Sequence, residues 1–241
     1  MTAWHGLSSP CSSSPFFLHG LESPCHVSAV EKSLLSHQVH VRQGAYLPHW
    51  TRSGSTYALV FRLADSLPAT LVAAWRRERA LLLAAQTTAG TLTSSQEERL
   101  RELFSDKIER HLDAGHGACW LRRPEIAVIV ADALRHFDGE RYELAAWSVM
   151  PNHVHVVTQP LGAHSLSAIV QSWKGFSARA ANRLLNRSGE FWQPEPYDHL
   201  IRDASEFAHA IRYTLENPAK AGLRDWPWVW ASDAARKLAG L

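Results

Sequence analysis

The stretch Trp147–Thr158, Trp-Ser-Val-Met-Pro-Asn-His-Val-His-Val-Val-Thr, constrains the fold of this chain more than any other. Apolar and β-branched residues flank a Pro-Asn pair, which predicts two antiparallel strands joined by a tight bend. Proline presets φ, and asparagine tolerates φ > 0 as such a bend needs. Successive residues of a strand face opposite ways, so His153 and His155 leave one face while Val154 and Val156 leave the other. A sheet containing this hairpin must therefore cover one apolar face and present two imidazoles on the other. Two imidazoles on a rigid strand can hold a divalent metal. Taken alone, such a pair is more often two histidines on a strand's polar face.

The segments around the hairpin predict helices and further strands. Ser55–Ala64 is β-branched and aromatic and reads as a first strand. Ser66-Leu67-Pro68 opens a helix to about Ala85, and Ser94-Ser95-Gln96-Glu97 fits the capping box of a second, with Leu100, Leu103, Phe104, Ile108 and Leu112 at helical spacing. That helix is expected to end at Gly115 or Gly117. Pro124 starts another, Glu125–Phe137, before a turn at Asp138-Gly139 and a strand over Arg141–Val149. Ser165 caps a long helix, Leu166–Asn186, whose expected buried stripe is Leu166, Ile169, Val170, Trp173, Phe176, Ala180 and Leu184. Phe191–Ile201 reads as a last strand. Ala204–Glu216 reads as a final helix stopped by Asn217-Pro218, because the residue before proline disfavours helical φ/ψ. Trp226–Trp230 reads as an aromatic cover segment. The order strand–helix–strand–strand–helix–strand around a central hairpin predicts an α+β fold, a mostly antiparallel sheet flanked by helices.

Residues 1–44 differ from the rest. They are rich in serine, lack sustained periodicity and read as a disordered or loosely attached tail, leaving one domain over 45–241. The net charge of +2 does not by itself indicate nucleic acid, so a DNA surface would have to come from local clustering. Three cysteines without Cys-x-x-Cys spacing argue against a disulfide framework or a zinc knuckle and fit a reducing cytoplasm. No apolar run approaches the ~18–20 residues of a membrane span, and no signal peptide is read at the N-terminus.

The last predicted helix carries Tyr213 and, four residues on, Asn217, which share a face. Phe207, Ile211, Thr214 and Leu215 define its apolar side, and Tyr213 lies away from it. Considered alone, Tyr213 is most simply a rim tyrosine bonded to water. A phenol of pKa about 10 is a poor nucleophile at neutral pH. Beside a cation that polarises a phosphate oxygen, in-line attack becomes feasible, and the product is a covalent phosphotyrosine.

Four segments together carry a resemblance: Met-Pro-Asn-His-Val-His (150–155), Phe-Trp-Gln (191–193), Tyr-Asp-His-Leu-Ile-Arg-Asp (197–203) and Ile-Arg-Tyr-Thr-Leu-Glu-Asn-Pro-Ala-Lys-Ala-Gly-Leu (211–223). In this order they resemble the single-tyrosine HUH transposases of IS200-like insertion sequences, and within them the REP-associated tyrosine transposases. The resemblance runs from about Tyr46 to Trp230. It implies a ferredoxin-like HUH fold and a single-stranded DNA endonuclease and strand transferase acting on hairpin-forming repeats through a 5′-phosphotyrosine. Tyr213 would match the nucleophile, and His153, His155 and Asn217 the ligands of Mg²⁺ or Mn²⁺. Insertion-sequence members usually carry glutamine where Asn217 stands. The implied partners are single-stranded DNA hairpins, with the protein acting as monomer or homodimer and with no membrane. The serine-rich tail departs from the family pattern.

Candidate DNA contacts are Arg179, Arg183 and Arg187, at i, i+4 and i+8 on the long helix, with Lys174 near its start. A solvated helix face explains the same stripe. Trp192, Tyr197 and His199 are candidates for stacking on bases, although a tryptophan beside a strand is commonly core, as expected for Trp173. Arg202 lies in the matching motif with Asp198. Glu216 reads as a surface residue or a weak extra ligand. The alternatives to a strand transferase are a domesticated protein that binds or processes repeat hairpins without moving itself, a purely DNA-binding regulator, and a metal-dependent hydrolase.

Overall fold

A computed structural model of the chain describes residues 40–43, 48–52, 54–74, 77, 81 and 106–241. The expected tail thus falls largely outside the described residues, as do the capping box at 94–97 and most of the helix expected after Pro68, of which residues 69–74 are helical. His40–Gln43 (β1), inside the expected tail, pairs antiparallel with Pro48–Thr51 (β2).

The main sheet has five strands in the order β6-β3-β5-β4-β7. These are β3 (Tyr57–Arg62), β4 (Tyr142–Val149), β5 (His153–Pro160), β6 (Tyr197–Leu200) and β7 (Val229–Ala231), and every pairing is antiparallel. The predicted hairpin, β4–β5, is thus at its heart. Pro151 and Asn152 make the bend, with Met150 N–H donating to His153 C=O at 2.8 Å. Asn152 does not use the left-handed backbone expected of it. Its side chain is occupied instead, as described below.

Helices cover both faces. On the valine side lie α2 (Pro124–Arg135) and α3 (Leu166–Leu184); on the histidine side lie α4 (Ala204–Lys220) and α5 (Asp233–Ala239). α1 (Asp106–Asp113) reaches the histidine end of β5, where Leu112 packs in a small cluster with Leu67 and Val60. The larger core holds Val154, Val156, Trp147 and Val149 against Ile126, Val130, Ile169, Val170 and Trp173. Trp173 is core as expected, its indole N–H donating to Tyr142 Oη at 2.8 Å.

Four expectations change. The buried line of α3 runs through Ser177 and Ala181, leaving Phe176 and Leu184 each 52% exposed. Small residues there let Trp192 approach α3 and donate to Ser177 Oγ at 3.0 Å. The segment 191–201 is not one strand: Trp192 makes an isolated antiparallel bridge to Leu63, Pro194 and Pro196 interrupt the chain, and Tyr197–Leu200 forms the edge strand of the sheet. The aromatic cover segment becomes edge strand β7 on the other side, followed by the unanticipated α5. Finally, α4 does not stop at Asn217-Pro218 but continues to Lys220. Proline forfeits one amide bond near a helix C-terminus, and the turn is held downstream by Ala221 N–H to Asn217 C=O and Leu223 N–H to Pro218 C=O, at 3.0 and 2.8 Å. Asn217 and Pro218 are both buried, so packing on the sheet outweighs the local preference.

Candidate active site

His153 and His155 point to the same side of β5, each almost fully buried, with Nε2 atoms 2.9 Å apart and ring centroids 4.8 Å apart. Burial lowers the basicity of both: His155 falls to about 3, and His153, which also faces its neighbour, lies well below the usual histidine range. Both are therefore neutral, the state in which imidazole binds metal.

The bend residue Asn152 orients the first ring. Its Nδ2 donates to His116 C=O at 3.0 Å, leaving Oδ1 as acceptor for His153 Nδ1–H at 2.7 Å. His153 Nε2 then carries a bare lone pair. Fixing a ligand's tautomer through its remote nitrogen is how outer residues tune metal-binding histidines.

Two side chains nearby hold buried polar atoms without partners. Asp113 Oδ1, at the end of α1, is buried and unbonded, 4.0 Å from His153 Nε2. Oδ1 and Nδ2 of Asn217 are both buried and unbonded. A buried polar group without a partner costs about 1–3 kcal/mol, and the two oxygens among these atoms, Asp113 Oδ1 and Asn217 Oδ1, suit a cationic guest. Two imidazole nitrogens, an amide oxygen and a carboxylate oxygen suit a divalent cation of the Mg²⁺ to Mn²⁺ range. The imidazole nitrogens are spaced as neighbouring ligands about 2.1 Å from one ion would be. Among the described residues no three His, Cys, Asp or Glu side chains form a metal cluster on their own.

Tyr213 stands beside this group. Its ring centroid is 5.6 Å from that of His155 and 6.2 Å from that of His209, one turn earlier on α4. Burial raises its phenol above the ordinary value, as do a hydrogen bond to Glu109 and the charges of Glu109 and Asp113; the nearby Asn217 amide opposes them. Lys220 Nζ lies 4.8 Å from the ring centroid and pairs with Glu216 at 3.1 Å. Continuing α4 through Pro218 is what brings Lys220 to this face.

The other sequence candidates separate into groups. Tyr197 and His199 line a cleft of about 620 Å³ that also includes His155 and Tyr213. Trp192 does not offer a stacking face: it is 6% exposed, packed on Phe61 and Phe191, and bonded through its indole N–H. Lys174 is half-buried and donates to the carbonyls of Gln193 and Pro194, at 2.5 and 2.6 Å, so it ties a loop. Arg202 is paired with Glu206. Arg187 lies beyond the end of α3 and donates to Glu190 C=O at 3.1 Å, so the expected three-arginine stripe shortens to exposed Arg179 and Arg183, on the helix covering the opposite face of the sheet. Sequence reading missed Glu109, Asp113, Asn152 and Lys220. Glu109 and Asp113 stand four apart on one helix, but nothing in their spacing ties them to a hairpin some forty residues later.

Residues 124–211 match the family described as "Transposase IS200 like". The match contains both histidines and ends two residues before Tyr213. The chain is 30% identical over 128 residues to the REP-associated tyrosine transposase of Escherichia coli, covering 48% of this chain and 74% of that protein. It is 28% identical over 101 residues to a putative REP-associated tyrosine transposase of Haemophilus influenzae, covering 36% of this chain and 57% of that one, so it spans less than two thirds of the second relative. A solved REP-associated tyrosine transposase bound to a REP hairpin superposes with a TM-score of 0.46 at 19% identity, covering 79% of this chain and 85% of that one; the assignment rests on the sequence relatives. With a tyrosine lying against a buried His-x-His pair and a 30% identical relative matched over three quarters of its length, this chain belongs to the REP-associated tyrosine transposases, within the IS200-like family.

Proposed function

We propose that this protein cleaves and rejoins single-stranded DNA at hairpin-forming repeats, with Tyr213 as nucleophile and a divalent cation held by His153, His155, Asn217 and Asp113. The observation that carries the reading is the meeting of Tyr213 with His155, ring to ring at 5.6 Å, beside buried polar atoms that lack partners. The repeat association in the names of the sequence relatives supports the hairpin as substrate.

In the step we assign, Tyr213 Oη forms a bond to phosphorus and the bond from phosphorus to the 3′ oxygen breaks. The phenolic proton passes to Glu109, already its hydrogen-bond partner, and the departing 3′ oxygen takes a proton from water. The 5′ phosphate stays on Tyr213, so the energy of the broken diester is conserved and a free 3′-hydroxyl can later reverse the step on another strand. The bound cation would neutralise charge on the phosphate oxygens and ease loss of the phenolic proton. Without it, burial and the two carboxylates hold the phenol protonated.

The test is incubation with single-stranded hairpin oligonucleotides, labelled downstream of the cut, with Mg²⁺ or Mn²⁺. A denaturation-resistant adduct is expected, lost in Tyr213→Phe. An adduct that survives Tyr213→Phe would overturn the nucleophile. Tight hairpin binding with no adduct on any substrate would favour a domesticated binding protein, and turnover without an adduct a hydrolase. His153→Ala and His155→Ala are expected to abolish cleavage while leaving hairpin binding within a few-fold, because binding rests on other surfaces.

A further inference from the structure

We propose that the cleft beside Tyr213 seats one unpaired nucleobase, that of a nucleotide adjoining the attacked phosphate, and that His209 is a ring on which it stacks. This deepens the reading above and rests on it.

The cleft, about 620 Å³, falls in the range of small-ligand sites, ~300–1,000 Å³. Its apolar lining comes from Ala58 and Val60 of β3, Ile201 just after β6, and Ala210 of α4. Two aromatic rings, Tyr197 and His209, join that lining. His209 is exposed and lies nearly parallel to Tyr213, at 28° and 6.2 Å. A flat ring entering here meets π-faces and methyl groups.

The lining favours the base over the phosphate. Arg212 lines the cleft, but its Nη1 donates to Ala239 C=O at 2.7 Å, away from it. Glu206 is held by Arg202 and approaches His199 Nε2 at 3.5 Å. Its carboxyl is held down to about 2, chiefly by Arg202, so it stays ionised. Glu109 brings a second carboxylate. The apolar and aromatic lining suits a neutral base better than an anionic phosphate. The cation that approaches Tyr213 is Lys220, which lies beyond Asn217 toward the C-terminal end of α4, while His209 lies toward its N-terminal end. Along α4 the order is thus base seat, nucleophile, ammonium, which matches a base, its scissile phosphate and the continuing backbone. A base inserted against the sheet cannot keep a paired partner, so the cleaved strand must be unpaired at this nucleotide.

The test crosses protein and DNA changes in single-turnover adduct formation. An abasic tetrahydrofuran residue replaces, in turn, each nucleotide flanking the cut in the oligonucleotide that wild type cleaves. At one position wild type is expected to lose roughly ten-fold or more. His209→Ala should lose a similar factor on the intact strand and nothing further at that abasic position, while His209→Phe, which keeps a stacking ring, should restore both rate and abasic sensitivity. Equal abasic penalties in wild type and His209→Ala, or none at either position, would overturn the base seat. Absence of any wild-type adduct on the intact strand would instead count against the proposed chemistry. The cycle is then read from equilibrium affinity with the abasic residue walked along the strand, and absence of coupling to His209 at every position overturns the base seat there too.

Discussion

Asn152 shows how one residue serves the bend and the site together. A turn asparagine is usually explained by its backbone, but here the amide bridges His116 C=O and His153 Nδ1, so the tautomer of His153 depends on it. Asn152→Ala removes that acceptor. We expect Mn²⁺ affinity, measured by calorimetry, to fall about 10–100-fold. An unchanged affinity would show that the sheet alone orients His153. Asp113→Asn is expected to weaken Mn²⁺ as well, because an amide supplies an oxygen without the charge. If Asp113→Asn leaves the ion equally tight, Asp113 is not a ligand.

At the level of elements, the site depends on how α1 is docked. The loop after α1 returns through Gly115 and Gly117, both with left-handed backbone at φ +71° and +87°. Ala118 N–H then donates to Asp65 Oδ2 at 2.8 Å, tying the loop to the chain just beyond β3. A Cβ at Gly117 would meet Asp65 C=O oxygen at 2.6 Å, and the backbone conformation is strained for any side chain. Gly117→Ala is therefore expected to destabilise the fold by about 1–3 kcal/mol, read as a lower urea midpoint, and to weaken Mn²⁺ binding as Asp113 shifts. A weakened site without lost stability would mean that α1 can move independently of the core. The bulge in β4 at Leu144/Ala146 is a second such device. It lets Leu144 and Trp147 enter the same core although their spacing is odd, and turns Ala146 toward α4.

For the whole molecule, burying two neutral imidazoles has a consequence for acid stability. Unfolding exposes both to water, where they take protons near pH 6.5. In the fold His155 resists protonation to about pH 3, and His153 is also held well below its usual range. Below pH 6.5 the unfolded chain binds up to two more protons, so stability falls as pH falls, at up to about 1.4 kcal/mol per unit for each histidine. Urea unfolding of the metal-free protein between pH 7 and pH 5 is expected to show this decline, and a flat profile would contradict it. If hairpin binding is led by the phosphate backbone, it is expected to weaken steeply with salt; a salt-independent affinity would argue against backbone-led recognition.

The hairpin, the shared face of His153 and His155, the core role of Trp173 and the cap at Ser165 were all legible in the residues, because strand alternation and capping are local and need no partner to be known. So was the pairing of Tyr213 with Asn217, one helical turn apart. Local rules misjudged α4, where packing carries the helix through Pro218 to Lys220, and α3, where room for Trp192 turns Phe176 outward. That Tyr213 meets His155, and that Glu109, Asp113, Asn152 and His209 join them, follows from strand order and helix docking. Those are set by which apolar faces cover one another across long sequence separations, and no spacing in the chain encodes them.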